Sequence, residues 1–418
     1  MKVWLVNPFD NLPPEGYRPQ RYWMMARAFA AAGHETTLFT ADFNHTTKMQ
    51  RVAAAGQRLV GDGFELALLP TPPYPRNVSF ARIRSHRAFA AALREEFLRR
   101  LRGRTAADAP ALVVVSLPPI GTAAVAFGLR RACGAKVVID VQDDWPGTFV
   151  RLFPFGFRWL GRVLLAPLRH LVSRAYRRAD WVTGVCDRYA ELVRRAGAKE
   201  YRRFYLGIAL NRAYPVRAWE PIGRFSILYL GNLGRTYDLK SVIKAVGRDD
   251  RLTLAIAGTG EQEAALRDYV EDTGLSDRIV FYGYLEERRL RWLASHCRFG
   301  VVPMKDDSCV GVPNKFADYA ASGLYILSSL RGESAALLKK YDCGGLYDPD
   351  DPDSLIAAIE ESAAKSPRFE ALLDEFDAEK IYREYASSAA AHDSRSRCRT
   401  ANPARWGIAP GKLVVDSW

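Results

Sequence analysis

The sequence predicts an α/β protein with two doubly wound, parallel-sheet domains in tandem. Short apolar runs alternate with amphipathic segments, this alternation stops in an irregular stretch at 211–224, and it then begins again. A chain of 418 residues is also too long for a single core. We therefore expect an N-terminal domain over 1–210, a linker over 211–224 and a C-terminal domain over 225–368.

The first domain is predicted from apolar runs typical of buried strands and from periodic segments typical of helices. The segment 151–178 stands apart, because it holds seven arginines, no acidic residue and many Leu, Phe and Trp. Such a composition is typical of a basic amphipathic helix. The predicted strands lie over 3–7, 36–40, 64–69, 112–116, 136–141, 181–185 and 204–206, and the predicted helices over 20–32, 82–102 and 121–133.

The second domain repeats the pattern and is followed by a closing segment. We expect a closing helix over 369–390 that packs back towards the N-terminal domain. Residues 391–418 are polar and irregular, and we expect a disordered tail there. The predicted strands lie over 225–230, 252–257, 279–282, 299–304 and 324–328, and the predicted helices over 239–246, 263–273, 287–295, 313–322, 333–341 and 352–364.

A strand–loop–helix–strand unit at 299–330 is the strongest candidate for a binding site. Its helix opens on the carboxyl ends of parallel strands, where open α/β sheets bind ligands. Free N–H groups at this helix start favour phosphate, and Lys315 adds a positive charge. Asp318, one turn further, is placed to accept hydrogen bonds from a ribose. The alternative is an ordinary solvated helix start.

Composition narrows the class of partner. The formal net charge of +13 indicates an anionic partner, such as a phosphate substrate, nucleic acid or an acidic membrane surface. The six cysteines are scattered without a CxxC pair, so we expect reduced thiols and no zinc site. No run of about twenty apolar residues is present to span a bilayer, and the N-terminal apolar run is too short for a signal peptide.

Several segments resemble motifs that occur, in the same order, in a known family of enzymes. They are AGHETTLFT, VIDVQDDWPGTF, ADWVTGVCDRYAELV, ILYLGNLGRTYDL, LAIAGTGEQEAALRDYV and VPNKFADYAASGLYILSS. The chain resembles GT-B glycosyltransferases of the retaining family-four type over about residues 1–390. It is most similar to the subset that builds bacterial surface polysaccharides.

The resemblance implies a GT-B fold, with two Rossmann-like domains and an interdomain cleft. It implies transfer, with retention, of a hexosyl or N-acetylhexosaminyl group from a UDP-, GDP- or dTDP-sugar to a saccharide acceptor that is lipid-linked. No cofactor or metal is expected to be obligatory. We expect a cytoplasmic protein, peripheral on the inner face of the membrane, whose anionic surface the basic segment contacts, and no nucleic-acid partner.

The resemblance also assigns site residues by position. Asp143, with Asp144 beside it, falls on a catalytic carboxylate at a strand end. Gly16 and Arg18 lie in a loop that contacts acceptor or phosphate, although a structural turn explains Gly16 equally well. The residues placed around the donor are Gly231, Asn232, Gly234, Arg235, Asn314, Lys315 and Asp318.

The chain departs from the family pattern in three ways. Val310 stands where the first glutamate of an E-x7-E pair is usual, and Asp318 replaces the second glutamate. Asn232 and Asp238 stand near the usual Arg and Lys of the pyrophosphate clamp, so Arg235 is a substitute candidate. Two alternatives stay open: a nucleotide-sugar epimerase on the same fold, and a non-catalytic basic scaffold bound to a membrane.

Overall fold

The computed structural model describes residues 1–51, 56–59, 62–103, 108–151, 153–209, 225–305 and 310–397. The chain forms two units, of which one comprises Met1–Ala209 together with Ala378–Trp418, and the other Leu210–Asp377. Each unit contains a sheet of mainly parallel strands with helices, which confirms the predicted fold class. The predicted linker at 211–224 lies outside the described residues.

The first unit is built on a sheet whose described strands have the order β10-β9-β8-β7-β1-β2-β6-β5. All neighbours pair in parallel except β5 and β6, which are antiparallel. The strands are β1 (Lys2–Val6), β2 (Glu35–Ala41), β5 (Gly56–Leu59), β6 (Glu65–Leu69), β7 (Leu112–Leu117), β8 (Lys136–Val141), β9 (Trp181–Gly184) and β10 (Tyr201–Arg203), with a separate hairpin of β3 (Phe43–Asn44) and β4 (Met49–Gln50).

Helices pack against this sheet, whose central strands are buried along nearly their whole length, as expected for a sheet covered on both faces. The helices are α1 (Arg21–Ala31), α2 (Phe80–Leu101), α3 (Ile120–Cys133), α4 (Gly147–Val150), α5 (Arg158–Leu164), α6 (Ala166–Arg178) and α7 (Arg188–Arg195). None of the helices in the described residues is long and apolar enough to cross a membrane.

The second unit contains a fully parallel sheet in the order β13-β12-β11-β14-β15-β16. Its strands are β11 (Phe225–Leu230), β12 (Leu252–Ala257), β13 (Ile279–Gly283), β14 (Phe299–Val302), β15 (Tyr325–Ser328) and β16 (Gly344–Leu346). Its helices are α8 (Leu239–Arg248), α9 (Glu263–Asp272), α10 (Glu287–Ala294), α11 (Lys315–Ala321), α12 (Glu333–Tyr341), α13 (Pro352–Glu361) and α14 (Phe369–Glu375).

The last helix of the chain, α15 (Ala378–Arg397), returns to the first unit and packs against α1. The single helix expected over 369–390 is therefore two helices, α14 and α15. The chain passes from one unit to the other between Asp377 and Ala378, and the Ala378 amide donates to the Ile208 carbonyl at 3.1 Å. Helix α15 includes residues 391–397 of the expected tail, and residues 398–418 lie outside the described residues.

Some elements differ from the sequence prediction. The last strand of the first sheet is β10, at Tyr201–Arg203, whereas we expected it over 204–206. The edge strand β16 and the hairpin β3–β4 are too short to produce a periodic signal. The basic segment 151–178 forms two helices, α5 and α6, and Pro167 lies in the first turn of α6.

Candidate functional site

Helix α11 is fixed at the carboxyl edge of the second sheet by Tyr319. The buried hydroxyl of Tyr319 donates to the Val301 carbonyl at 3.0 Å and accepts from the Leu230 amide at 3.1 Å, so it bridges β14 and β11. Gly300 makes room for the ring, because a Cβ at this position would lie 2.3 Å from Tyr319. The short helix therefore begins beside the ends of the two central strands.

Lys315, the first residue of α11, is buried with only 8% of its surface exposed. Its ammonium nitrogen lies 3.9 Å from the ring centroid of Tyr237 and 5.2 Å from that of Tyr229. Among the described residues, no carboxylate forms an ion pair with it. Burial lowers the pKa of Lys315 to about 8, and Asp318 acts in the opposite direction.

The predicted phosphate turn lies directly against this lysine. A Cβ on Gly231 would stand 3.0 Å from both Cε and Nζ of Lys315, and Gly231 has a φ of 127°. Any side chain there would be strained and would crowd the ammonium group. Gly231 and Lys315, which are far apart in sequence, are thus brought together by the sheet.

The turn after β12 packs directly against the Gly231 turn. A Cβ on Gly258 would lie 1.8 Å from the Gly231 carbonyl oxygen, and one on Gly260 would lie 2.6 Å from the Asn232 side-chain oxygen. The Leu233 amide donates to the Thr259 carbonyl at 2.9 Å. These contacts explain both glycines as close packing between two turns.

The other predicted donor residues are more exposed than Lys315. Asn232 and Asn314 are exposed and Asp318 is half-buried. Arg235 is exposed and pairs with Glu261 at 3.4 Å, so this candidate for the clamp already has a carboxylate partner. Val310, at the position of the usual glutamate, is half-buried.

The tyrosines at 229 and 237 are site residues that the sequence analysis did not single out. Tyr229 is fully buried, and its hydroxyl donates to the Asn232 carbonyl at 2.6 Å. Tyr237 is held at the end of β14, because the next amide, that of Asp238, donates to the Pro303 carbonyl at 2.7 Å. The only sequence signal was their proximity to the Gly231 turn.

The predicted catalytic carboxylates follow β8 in the first unit. Asp143 is exposed, yet the surrounding protein raises its pKa by desolvation, while Arg82 and Arg151 act to lower it. The Asp144 carbonyl accepts from the Thr148 amide at 2.8 Å, and Gly147 lies so close that a Cβ would stand 2.5 Å from the Asp144 carboxylate. Asp144 therefore starts the turn of α4, and Asp143 faces solvent beside basic residues.

Asp140 has a different environment from the two later aspartates. It is fully buried within β8 and accepts two hydrogen bonds of 2.8 Å from the Arg21 guanidinium, and a third of 2.7 Å from Thr183. Arg21 also donates to the carbonyls of Phe204 and Tyr205. This ion pair joins α1 to three segments of the first unit, so Asp140 is a structural residue.

The N-terminal loop contains a turn at Gly16. Gly16 has a φ of 84° and ends a short 3-10 turn at Pro13–Glu15, where its amide donates to the Pro13 carbonyl at 2.9 Å. This left-handed conformation explains the glycine without a ligand. Arg18 is exposed nearby in the chain. Contact of Gly16 and Arg18 with acceptor or phosphate stays a prediction.

Throughout the described part of the chain, no group of three or more His, Cys, Asp or Glu side chains is arranged to hold a metal ion. The described cysteines are Cys133, Cys186, Cys297 and Cys343, and all are free thiols.

Two family models match the chain. Residues 19–207 match a glycosyl transferase 4-like domain, and residues 224–365 match the glycosyl transferases group 1 domain. None of the curated proteins searched matches the sequence.

Solved structures resemble the chain over nearly its whole length. They include sucrose-phosphate synthase from Thermosynechococcus elongatus (16% identity, TM-score 0.71, 94% of this chain and 100% of that chain). They also include Anabaena Alr3699/HepE in complex with UDP (13% identity, TM-score 0.63, 94% and 100%) and the lipopolysaccharide outer core galactosyltransferase WaaB (14% identity, TM-score 0.60, 95% and 100%). At these identities the likeness shows the fold, which is GT-B.

Proposed function

Because the chain consists of a glycosyl transferase 4-like domain followed by a glycosyl transferases group 1 domain, we propose that it transfers a sugar, with retention, from a nucleotide sugar to a saccharide acceptor. The second unit binds the donor and the first unit binds the acceptor. The transferred group is a hexosyl or N-acetylhexosaminyl group, and the product belongs to a bacterial surface polysaccharide.

The observation that carries this proposal is the environment of Lys315. A buried ammonium group without a carboxylate partner among the described residues needs an anion, and it lies where open α/β sheets bind their ligands. A diphosphate supplies that charge. Gly231 leaves the space in which phosphate oxygens approach both the backbone and the ammonium group.

The remaining donor contacts follow from this placement. With the diphosphate at Lys315 and Asn314, Asp318 lies one helical turn further along α11 and accepts hydrogen bonds from the ribose hydroxyls. Asn232 and Gly234 line the phosphate turn. Arg235 reaches the diphosphate if it exchanges its exposed partner, Glu261, for the ligand. One similar structure holds UDP, which makes UDP our first choice of nucleotide over GDP and dTDP.

The chemistry required of the protein is charge stabilisation and alignment. Lys315 stabilises negative charge that develops on the leaving diphosphate. The acceptor hydroxyl must come within about 3–3.5 Å of the anomeric carbon, and we assign Asp143 to orient it. The raised pKa of Asp143 favours its exchange of a proton with that hydroxyl.

The lipid-linked acceptor and the membrane surface are supported by an apolar patch on the first unit. Five large side chains on and before α5 are exposed, although side chains of this kind are normally buried. They are Phe155 (85% exposed), Phe157 (58%), Trp159 (61%), Val163 (61%) and Leu164 (60%). Together with the arginines of α5 and α6, this patch, which we call the α5 patch, suits an anionic membrane on the cytoplasmic face.

A panel of nucleotides and nucleotide sugars, read by thermal shift and calorimetry, tests the proposal. A ligand that binds the folded state raises the melting temperature. We expect UDP and one UDP-sugar to bind saturably, and Lys315→Gln to weaken both. Donor binding followed by release of an inverted free nucleotide sugar would identify an epimerase instead. An absence of all nucleotide binding would favour a non-catalytic scaffold.

A further inference from the structure

A second cationic site lies at the carboxyl edge of the sheet in the first unit. Lys48 follows β3, and Arg82 lies in the first turn of α2. Both surround the buried ring of Tyr74, with the Lys48 nitrogen 4.8 Å and the Arg82 guanidinium carbon 5.9 Å from its centroid. The Arg82 guanidinium also lies 5.6 Å from the ring centroid of Phe9, which follows β1. Loops after three strands thus contribute to one cluster.

The two cations of this cluster are not neutralised. In the ranges that the structure describes, no carboxylate forms an ion pair with Lys48 or Arg82. Burial and the charge of Arg82 lower the pKa of Lys48 to about 8. Burial and the charges of Lys48 and Arg82 lower the pKa of His45 to about 3, and burial and the charge of Arg82 lower that of His86 to about 4, so both imidazoles are neutral near pH 7. The cluster therefore carries two positive charges that repel each other.

The backbone and neutral side chains hold the two cations in position. Lys48 has a φ of 62°, which is uncommon for a residue other than glycine, and its amide donates to the Asn44 carbonyl at 2.9 Å. Its ammonium group donates to the His45 carbonyl at 2.6 Å and to the side chain of Asn77. The Arg82 guanidinium donates to the Asn77 carbonyl at 2.9 Å. Asn77 consequently joins the two charged groups through neutral oxygens.

Asp143 connects this cluster to the proposed acceptor site. Asp143 follows β8, so it leaves the same carboxyl edge of the first sheet as the segments that carry Phe9 and Tyr74, and the charge of Arg82 acts to lower its pKa against the larger effect of desolvation. A ligand bound at Lys48 and Arg82 would therefore lie near the carboxylate that we assign to the acceptor hydroxyl.

We infer that Lys48 and Arg82 bind a phosphate group carried by the acceptor, while the acceptor hydroxyl lies at Asp143. The inference deepens the proposed function and rests on it. A phosphate with two negative charges matches the two cations, and the guanidinium fork of Arg82 suits two of its oxygens. The acceptor is accordingly a phosphorylated saccharide, either free or attached to a lipid through its phosphate.

Calorimetry of the full chain with inorganic phosphate and with farnesyl phosphate, both in saturating UDP, tests this site. We expect Lys48→Gln and Arg82→Gln each to weaken phosphate binding tenfold or more. Lys48→Arg keeps the charge and should retain binding. Arg84→Gln, which removes an exposed charge from the same helix, should bind as the wild type does. Circular dichroism checks that each variant is folded. If Lys48→Gln does not fold, the phosphate affinity of Arg82→Gln alone tests the inference.

The possible results separate the site from the donor site. Undiminished phosphate binding in both Gln variants, or no phosphate binding by the wild type, overturns the inference. Loss of phosphate binding in Lys315→Gln, with the Lys48 and Arg82 variants unaffected, places the phosphate at the donor site and also overturns it. Absence of UDP binding counts against the proposed function alone. Tighter binding of farnesyl phosphate than of inorganic phosphate supports a lipid-linked phosphate, and equal binding supports a free one.

Discussion

The ammonium nitrogen of Lys315 lies 3.9 Å from the centroid of the Tyr237 ring. The negative face of the ring stabilises the cation, and no carboxylate among the described residues forms an ion pair with it. An aromatic face does not neutralise the charge, so the site keeps a positive charge that an anionic ligand can neutralise. The donor-site predictions follow from this arrangement.

Replacement of Lys315 should weaken nucleotide binding. A hydrogen bond to a charged group contributes about 1.5–3 kcal/mol, so we expect Lys315→Gln to reduce UDP affinity by roughly ten- to a hundredfold. Calorimetry measures the change. Lys339→Gln, which removes an exposed charge in the last turn of α12, is the matched control and should bind normally. Equal affinity of both variants would contradict the assignment.

Nucleotide affinity should fall as the pH rises above 8. Lys315 binds phosphate only in its protonated form, its pKa is lowered to about 8, and it therefore loses its charge above that pH. The terminal phosphate of UDP, with a pKa of about 6, keeps its charge throughout this range. Titrations between pH 7 and 9.5 should show the fall. Lys315→Arg stays protonated and should remove the fall, and a fall that persists in this variant points to another group.

Replacement of Asp318 should weaken binding through the ribose. We expect Asp318→Ala to lower UDP affinity by roughly ten- to a hundredfold, since it removes charge-assisted hydrogen bonds of about 1.5–3 kcal/mol. A UDP analogue without ribose hydroxyls supplies the second arm of a thermodynamic cycle, because the variant and the wild type should bind it equally. Asp268→Ala, on the exposed face of α9, is the control. A similar loss with the analogue would place Asp318 away from the ribose.

Replacement of Asp143 should separate binding from transfer. Asn preserves the shape of the side chain and removes its charge, so we expect Asp143→Asn to bind the donor normally and to transfer sugar at least a hundredfold more slowly, since acid–base groups contribute about 10²–10⁴-fold. The comparison variant is Asp144→Asn, because Asp144 starts the turn of α4. Transfer by Asp143→Asn within a few-fold of the wild type would make Asp143 structural and direct attention to Asp144.

The α5 patch should bind anionic membranes. We expect the protein to sediment with vesicles of anionic lipid, less so at high salt, and not with neutral vesicles. Trp159→Ser should weaken this binding about tenfold, because full burial of a large apolar side chain contributes about 1.5–3 kcal/mol. Trp292→Ser removes an equally exposed tryptophan, at 60%, from the other unit and is the control. Equal sedimentation with both lipids would reject the membrane surface.

Local sequence pattern determined most of the secondary structure. Buried strands such as β7 and β8 are continuous apolar runs, and the residues that start and end α11 follow from Pro313 and Gly323. The two-domain α/β fold also follows, since the alternation of strands and helices is a property of neighbouring residues. The placement of Lys315 at a strand edge was predictable for the same reason.

Tertiary structure alone decided which of these residues meet. Asp140 and Asp143 are three residues apart, yet one is buried against Arg21 and the other faces solvent. The approach of Gly231 to Lys315 and that of Lys48 to Arg82 each join a loop to a helix that lies further along the chain. Such pairs depend on strand order and on packing between distant segments, which a single sequence does not record. Charge and periodicity act locally along the chain, whereas burial and the pKa shifts that it causes exist only in the folded protein.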